Sequence, residues 1–160
     1  MTSKRRSTDD ALTPVGQLNE AGLHTALGYQ LAQAAIVTTR VFLEQVGKPF
    51  ELRPVEFTVL SLVNENPGVS AKQLARALAV TPPNITTWID RLEQRGLVER
   101  ERSSVDRRAQ HIRTTTAGAE LAFKTVNRIV AAEQQALAAL SPAERAMLFE
   151  LLHKTARARR

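Results

Sequence analysis

The chain has 160 residues, 43% of them hydrophobic and 24% charged, a balance that fits one folded core with appended helices and excludes disordered or collagen-like organisation. Zero cysteines remove disulfides, thiolate metal sites and zinc fingers, and few aromatics in a chain rich in Ala, Leu, Glu, Arg and Gln exclude an all-β fold. The net charge of +6 favours a polyanionic partner, with nucleic acid the leading class, provided that the charge is concentrated on one surface.

Residues 1–20 mix Ser, Thr, Asp, Pro14 and Gly16 and read as a flexible N-terminal arm. Its Lys4, Arg5 and Arg6 run into Asp9 and Asp10 with no apolar stretch behind them, which is not the pattern of a secretory signal. No run reaches the roughly 20 apolar residues of a membrane helix, so no membrane partner and a cytoplasmic location are expected.

A helix is predicted over Gly22–Val46, within a segment at 21–47. Leu23, Leu27, Leu31, Ala34, Thr38 and Val41 form one stripe, and Ile36, Val37 and Leu43 a second. A helix apolar on two sides needs cover on two sides, and in so short a chain a second subunit is the expected cover. Gly47, Pro49 and Pro54 are expected to break it.

Residues 48–115 carry the compact middle. Val55, Phe57, Leu60 and Val63 open a helix that ends near Asn66-Pro67-Gly68. Ser70-Ala-Lys-Gln73 has capping-box spacing and starts a short helix. Thr81-Pro82-Pro83-Asn84 starts the next, with Thr81 placed to cap, Ile85, Ile89 and Leu92 inward and Gly96 as its stop. Two short helices joined by a tight turn make a helix-turn-helix candidate. After Gly96 the period becomes extended: Leu97–Arg102 and Ala109–Thr114 flank the polar turn Ser103–Arg108. A hairpin directly after the second helix is the wing of a winged helix-turn-helix.

From 116 to 160 two further helices are predicted. The first starts at Thr115 or Thr116 and runs to about Ala139, with Leu121, Val126, Ile129, Val130 and Leu137 on its core face. The second starts at the capping box Ser141-Pro-Ala-Glu144 and carries Met147, Leu148, Leu151 and Leu152. The fold class is thus mostly α with a small β-hairpin: a winged helix-turn-helix flanked by N- and C-terminal helices.

Between Arg91 and Arg113 lie seven arginines, at 91, 95, 100, 102, 107, 108 and 113, against four acidic residues. Arginine suits phosphate and guanine because its planar fork binds bidentately. Opposite Ile85, Ile89 and Leu92, the second helix presents Pro83, Asn84, Thr87 and Arg91, with Thr81 and Thr86 on the flanks. Asn reads adenine, and Thr bonds a phosphate or touches a thymine methyl. Trp88 is expected to pack the helix against the wing. Ser70 and Gln73 are candidate contacts to the DNA backbone, and Asp106, Arg107 and Arg108 form the wing tip, which Asp106 is expected to brace by pairing with Arg91, Arg95, Arg100 or Arg102. Double-stranded DNA is the expected partner.

The stretch from Leu52 through Leu60 to Ser70, then Leu74-Ala75, Asn84-Ile-Thr-Thr, Asp90-Arg-Leu-Glu-Gln-Arg-Gly-Leu-Val98, Asp106-Arg-Arg108 and Thr115-Thr-Ala-Gly118, resembles the MarR family of bacterial transcription regulators. The resemblance implies a homodimer paired through the first and last two helices, recognition helices in successive major grooves of a pseudo-palindromic operator, and wings in the flanking minor grooves. It gives Arg108 the role of minor-groove finger and Thr86 that of the family's recognition-helix threonine. It further implies a repressor released by a small aromatic or phenolic effector, for which Tyr29, Arg40 and Phe57 are candidate pocket residues. The departures are Thr87, where relatives often carry arginine, Pro83, near which they often carry serine, and Thr114, where leucine is usual.

No phosphate-binding glycine loop, His-Glu-x-x-His or Gly-x-Ser-x-Gly is present, and His24, His111 and His153 are scattered, so no enzyme, cofactor or metal site is expected. The competing reading is a winged-helix protein-interaction module without specific DNA binding, because fold does not dictate function.

Overall fold

The computed structural model describes residues 12–102 and 110–158. Two compact units are present, one ending at Arg40 and the other running from Val41. No helix among the described residues is long and apolar enough to cross a membrane.

In the first unit, residues 12–19 form a tight loop; the rest of the expected arm, 1–11 with Lys4, Arg5 and Arg6, lies outside the described residues. Leu12 and Asn19 make an antiparallel bridge, Thr13 N–H donates to the Leu18 carbonyl at 2.8 Å, and Gly16 and Gln17 supply the positive φ of the turn. Helix α1 (Leu27–Phe42) follows. Tyr29 hydroxyl donates to Glu20 at 2.6 Å, and Gln33 donates to the Tyr29 oxygen at 3.1 Å. The bond to Glu20 is the largest cause raising the phenol above its ordinary pKa.

The expected break at Gly47 is displaced. A π-helical segment, Leu43–Gly47, continues the helix into the short α2 (Lys48–Phe50), and the chain turns only at Glu51, whose φ is +51°. Pro49 lies within the first turn of α2, where a missing N–H is tolerated. Gly47 serves close packing instead, since a Cβ there would meet the Phe42 ring at 3.2 Å.

The second unit is built on α3 (Pro54–Glu65), α4 (Ala71–Leu78) and α5 (Pro82–Gln94). Val59, Leu60 and Val63, Leu74 and Ala75, and Ile85, Ile89 and Leu92 interlock as one buried cluster. Strands β1 (Val98–Arg102) and β2 (Gln110–Thr114) pair antiparallel with Arg100 opposite Ile112. Val98 and Ile112 enter the same core. Val69 bridges to Ile112 as a minimal third strand, through Ile112 N–H to the Val69 carbonyl at 2.9 Å. Trp88 is half-buried against this core.

Helix α6 (Thr116–Ala136) starts on Thr115, whose hydroxyl accepts from Gly118 N–H. Its buried residues are Gly118, Ala122, Thr125 and Ile129. Of the predicted core face, Val126 and Val130 are instead exposed, because the stripe that meets the core runs through Ala122 and Ile129, rotated from theirs. Helix α7 (Pro142–Ala156) has both halves of its capping box and buries none of its residues. The mostly helical architecture with a two-stranded wing is the winged helix-turn-helix expected from the sequence.

Candidate nucleic-acid interface

The recognition candidate is α5. With Ile85, Ile89 and Leu92 buried, Thr81, Pro83, Asn84, Thr86 and Thr87 form a continuous exposed face at its start. Thr81 sits at the N-cap but makes no side-chain cap bond. The reason lies in the sequence: Pro82 and Pro83 have no N–H to offer, and Asn84 N–H already donates to the Thr81 carbonyl at 3.1 Å. Thr86 and Thr87 hydroxyls donate backwards to the carbonyls of Pro82 and Pro83, at 3.1 and 3.0 Å. With their protons committed to the helix, the threonines present methyl groups and acceptor lone pairs outward. Asn84 is the carboxamide on this face, with both donor and acceptor atoms for a base edge.

The entry to α4 is tightly organised. Ser70 N–H and hydroxyl both donate to Gln73 Oε1, at 3.0 and 2.7 Å, and Gln73 N–H donates to Ser70 Oγ at 3.3 Å. With Oε1 occupied, the NH2 half of Gln73 is the part suited to a phosphate oxygen.

The arginines divide by partner. Arg91 pairs at 3.5 Å with Glu56, a buried carboxylate that also accepts from Arg53 N–H at 3.0 Å. Arg95 donates to the Glu51 and Phe50 carbonyls, each at 2.9 Å, closing the left-handed turn after α2. Arg100 reaches from β1 to both Asp90 and Glu93 of α5. Arg113 pairs with Glu101 at 2.9 Å. Each of the four arginines of this stretch whose side chains are described therefore holds an intramolecular acceptor, which a count of charges did not reveal. The i, i+3 spacing of Asp90 and Glu93 was the available signal, since it puts both carboxylates on one helix side.

Asp106, Arg107 and Arg108 lie outside the described residues, as does any brace that Asp106 makes. The strands that carry them are fixed at two levels: at the base Thr115 hydroxyl donates to the Gly96 carbonyl at 2.7 Å, and further out His111 Nδ1 lies 2.7 Å from the Gly68 carbonyl.

Of the candidate effector residues, Tyr29 belongs to the first unit, held by Glu20 and Gln33. Arg40 stands in the last turn of α1. Phe57 belongs to the second unit, half-buried and tilted on Phe42 with ring centroids 5.6 Å apart. A cleft of about 820 Å³ in the first unit is lined by Tyr29, Gln33, Ile36 and Val37 together with Pro14 and Leu18 of the loop. Among the described residues no group of three or more His, Asp or Glu is arranged to hold a metal ion.

The model of the MarR family matches residues 52–109, which span α3 to the wing. A putative transcriptional regulatory protein for the hcr operon of Thauera aromatica is 28% identical over 144 residues, covering 90% of this chain and 87% of that protein. The solved transcriptional repressor CouR, bound to a 23-mer DNA duplex, is 32% identical with a TM-score of 0.78, covering 87% of this chain and 98% of that one. A mutant MarR from E.coli complexed with operator DNA is 25% identical with a TM-score of 0.72, covering 82% and 94%. With the family's motif block on α5 and the wing, its fold throughout, and relatives matched over nearly their whole length, this chain belongs to the MarR family of transcriptional regulators.

Proposed function

We propose that this chain is a sequence-specific, double-stranded-DNA-binding repressor that acts as a homodimer on a pseudo-palindromic operator and is released by a small aromatic or phenolic compound. The observation that carries the DNA reading is the exposed polar face at the start of α5, formed by Thr81, Pro83, Asn84, Thr86 and Thr87. In this reading Asn84 reads a base edge, the Thr86 and Thr87 methyls and Pro83 read thymine methyls and groove shape, and Thr81 bonds a phosphate. Arg91 guards the far end of this face, and Ser70 and Gln73 fix the DNA backbone. Arg107 and Arg108 enter the minor groove, with Asp106 bracing the wing tip.

Repression and duplex binding are supported by CouR, a repressor bound to duplex DNA, and by the E.coli MarR complexed with operator DNA. Two recognition helices about 34 Å apart span one turn of B-DNA, the geometry that a two-fold dimer gives. The segments flanking 48–115, at 21–47 and 116–160, serve as its dimerisation helices. Effector release carries over from the family resemblance, with Tyr29, Arg40 and Phe57 as the residues to examine. A compound releases the operator only by its differential affinity for the free and DNA-bound states.

The test is a mobility shift on the DNA flanking the chain's own gene, at two salt concentrations, with Asn84→Ala and Arg108→Ala beside wild type and a panel of aromatic acids added to the complex. Specific, salt-sensitive binding weakened by either substitution and reversed by a member of the panel is expected. Binding indifferent to DNA sequence and to both substitutions overturns the reading in favour of a protein-interaction module.

A further inference from the structure

We infer that Arg100 is a positioning residue for DNA recognition, acting through Asp90 and Glu93 to lock the wing onto the recognition helix. The inference rests on the proposed reading of α5 and the wing as the DNA-binding surface. Along β1 the side chains alternate: Val98 is buried, Glu99 and Glu101 are exposed, and Arg100 lies on the Val98 side, turned toward α5. From there its guanidinium donates one nitrogen to Asp90 and another to Glu93. The Arg100 side chain keeps 23% of its surface exposed, against 45% for Asp90 and 38% for Glu93. The clamp is therefore shielded on the arginine side and open on the acid side.

Two consequences follow from that placement. The first is mechanical. Gly96 and Thr115 fix the wing at its root, and Ile112 and His111 tie β2 to the segment before α4, whereas Arg100, the third of the five residues of β1, ties the wing to the recognition helix itself. A hairpin of two strands has little stiffness of its own, so the direction in which the tip projects depends on such a grip. A planar fork holding two carboxylates one helical turn apart defines an angle, which a single lysine charge does not. The second is electrostatic. Asp90 follows Thr87 by three residues and Pro83 by seven, so it continues the stripe that those two residues begin. Unpaired, its carboxylate and that of Glu93 would repel phosphate with both charges; clamped, one of the two negative charges is offset by an arginine that does not itself need to reach the DNA.

Wild type, Arg100→Ala, Arg100→Lys, the double variant Asp90→Asn with Glu93→Gln, and that double variant combined with Arg100→Ala are titrated onto a duplex selected by the wild-type chain from random-sequence DNA. Arg100→Ala is expected to raise Kd about tenfold at an unchanged active fraction, and by less than about twofold in the acid-neutralised background, where the clamp is already gone. Arg100→Lys falls between wild type and Arg100→Ala, because one ammonium cannot bridge both acids in fixed geometry. Equal losses in the two backgrounds overturn the inference, for Arg100 then touches DNA directly. An unchanged Kd with a reduced active fraction also overturns it, leaving only a role in folding. Failure of wild type to select any duplex overturns the regulator reading instead, and is recognised before any variant is compared.

Discussion

Gly118 lies against the backbone of Leu97: a Cβ added at Gly118 would stand 1.8 Å from the Leu97 carbonyl oxygen and 2.8 Å from its carbon. The first turn of α6 is thereby pressed onto the segment that leads from the recognition helix into the wing. Thr115 completes the junction, donating its N–H to the Leu97 carbonyl at 3.1 Å and its hydroxyl to the Gly96 carbonyl. The Thr-x-x-Gly start of α6 is thus a joint between the C-terminal helix and the DNA-binding elements.

Gly118→Ala is expected to cost about 3 kcal/mol, since the obstructing atoms are backbone and cannot swing aside. Gly96→Ala provides the contrast. Gly96 has a φ of +67° and open space around its Cα, so its cost is conformational alone, about 1 kcal/mol. Urea unfolding of the two variants checks the order. Equal losses would mean that the approach to Leu97 relaxes without penalty.

Glu56 links the start of α3 to the recognition helix, accepting from Arg53 N–H while facing Arg91. A buried carboxylate without partners is costly, but this one has two, and removing it strands both. Glu56→Ala is expected to cost about 2 kcal/mol, and Glu56→Gln about 1, because the amide oxygen still accepts from Arg53. Thermal melts of both variants decide the matter. A glutamine variant as damaged as the alanine would assign the main contribution to the charge facing Arg91.

The turn of the helix-turn-helix passes through Ala79, at a φ of +53°, with its N–H directed back to the Arg76 carbonyl at 3.3 Å. Left-handed backbone is unfavourable for any residue with a Cβ. Ala79→Gly should therefore stabilise the fold by about 0.5 kcal/mol, after the larger entropy of the unfolded glycine chain is offset. The check is a chemical melt together with DNA affinity, which is expected to stay at the wild-type value. A loss of stability would show that the turn tolerates alanine without strain.

These positions also mark what sequence reading reaches. The capping boxes at Ser70 and Ser141, the stop at Gly96 and the wing after it are local signals, and the structure follows them. The passage through Gly47 to Phe50 was not legible, because a π-helical segment is set by the packing of Phe42 and Leu52 around Gly47 rather than by the residues' own preferences. The arginine partners were hidden for a related reason. Arg95 meets Glu51 and Phe50 across more than forty positions, and no spacing rule covers such a contact. Thr81 failed as a cap because the prolines that announce the helix also remove the donors that a cap would satisfy.

The last expectation concerns the face that this single chain leaves uncovered. On α6, Phe123 is 72% exposed and Val130 48%; on α7, Met147, Phe149 and Leu151 each exceed 50%, and Leu148 and Leu152 stand beside them. Helix α7 buries nothing of its own against the chain, yet Leu148, Leu151 and Leu152 share one side at three- and four-residue spacings, with Met147 and Phe149 flanking it. Monomeric proteins seldom expose contiguous apolar surface on this scale. If α6 and α7 complete a homodimer, Leu148→Glu with Leu152→Glu puts four like charges into a two-fold interface. The wild-type chain should then sediment at twice its 17.7 kDa mass, and the double variant at single mass with a melting temperature that no longer rises with concentration. A wild-type chain that remains monomeric at micromolar concentration would remove the dimer from the proposed mechanism, and with it the spacing of the two recognition helices.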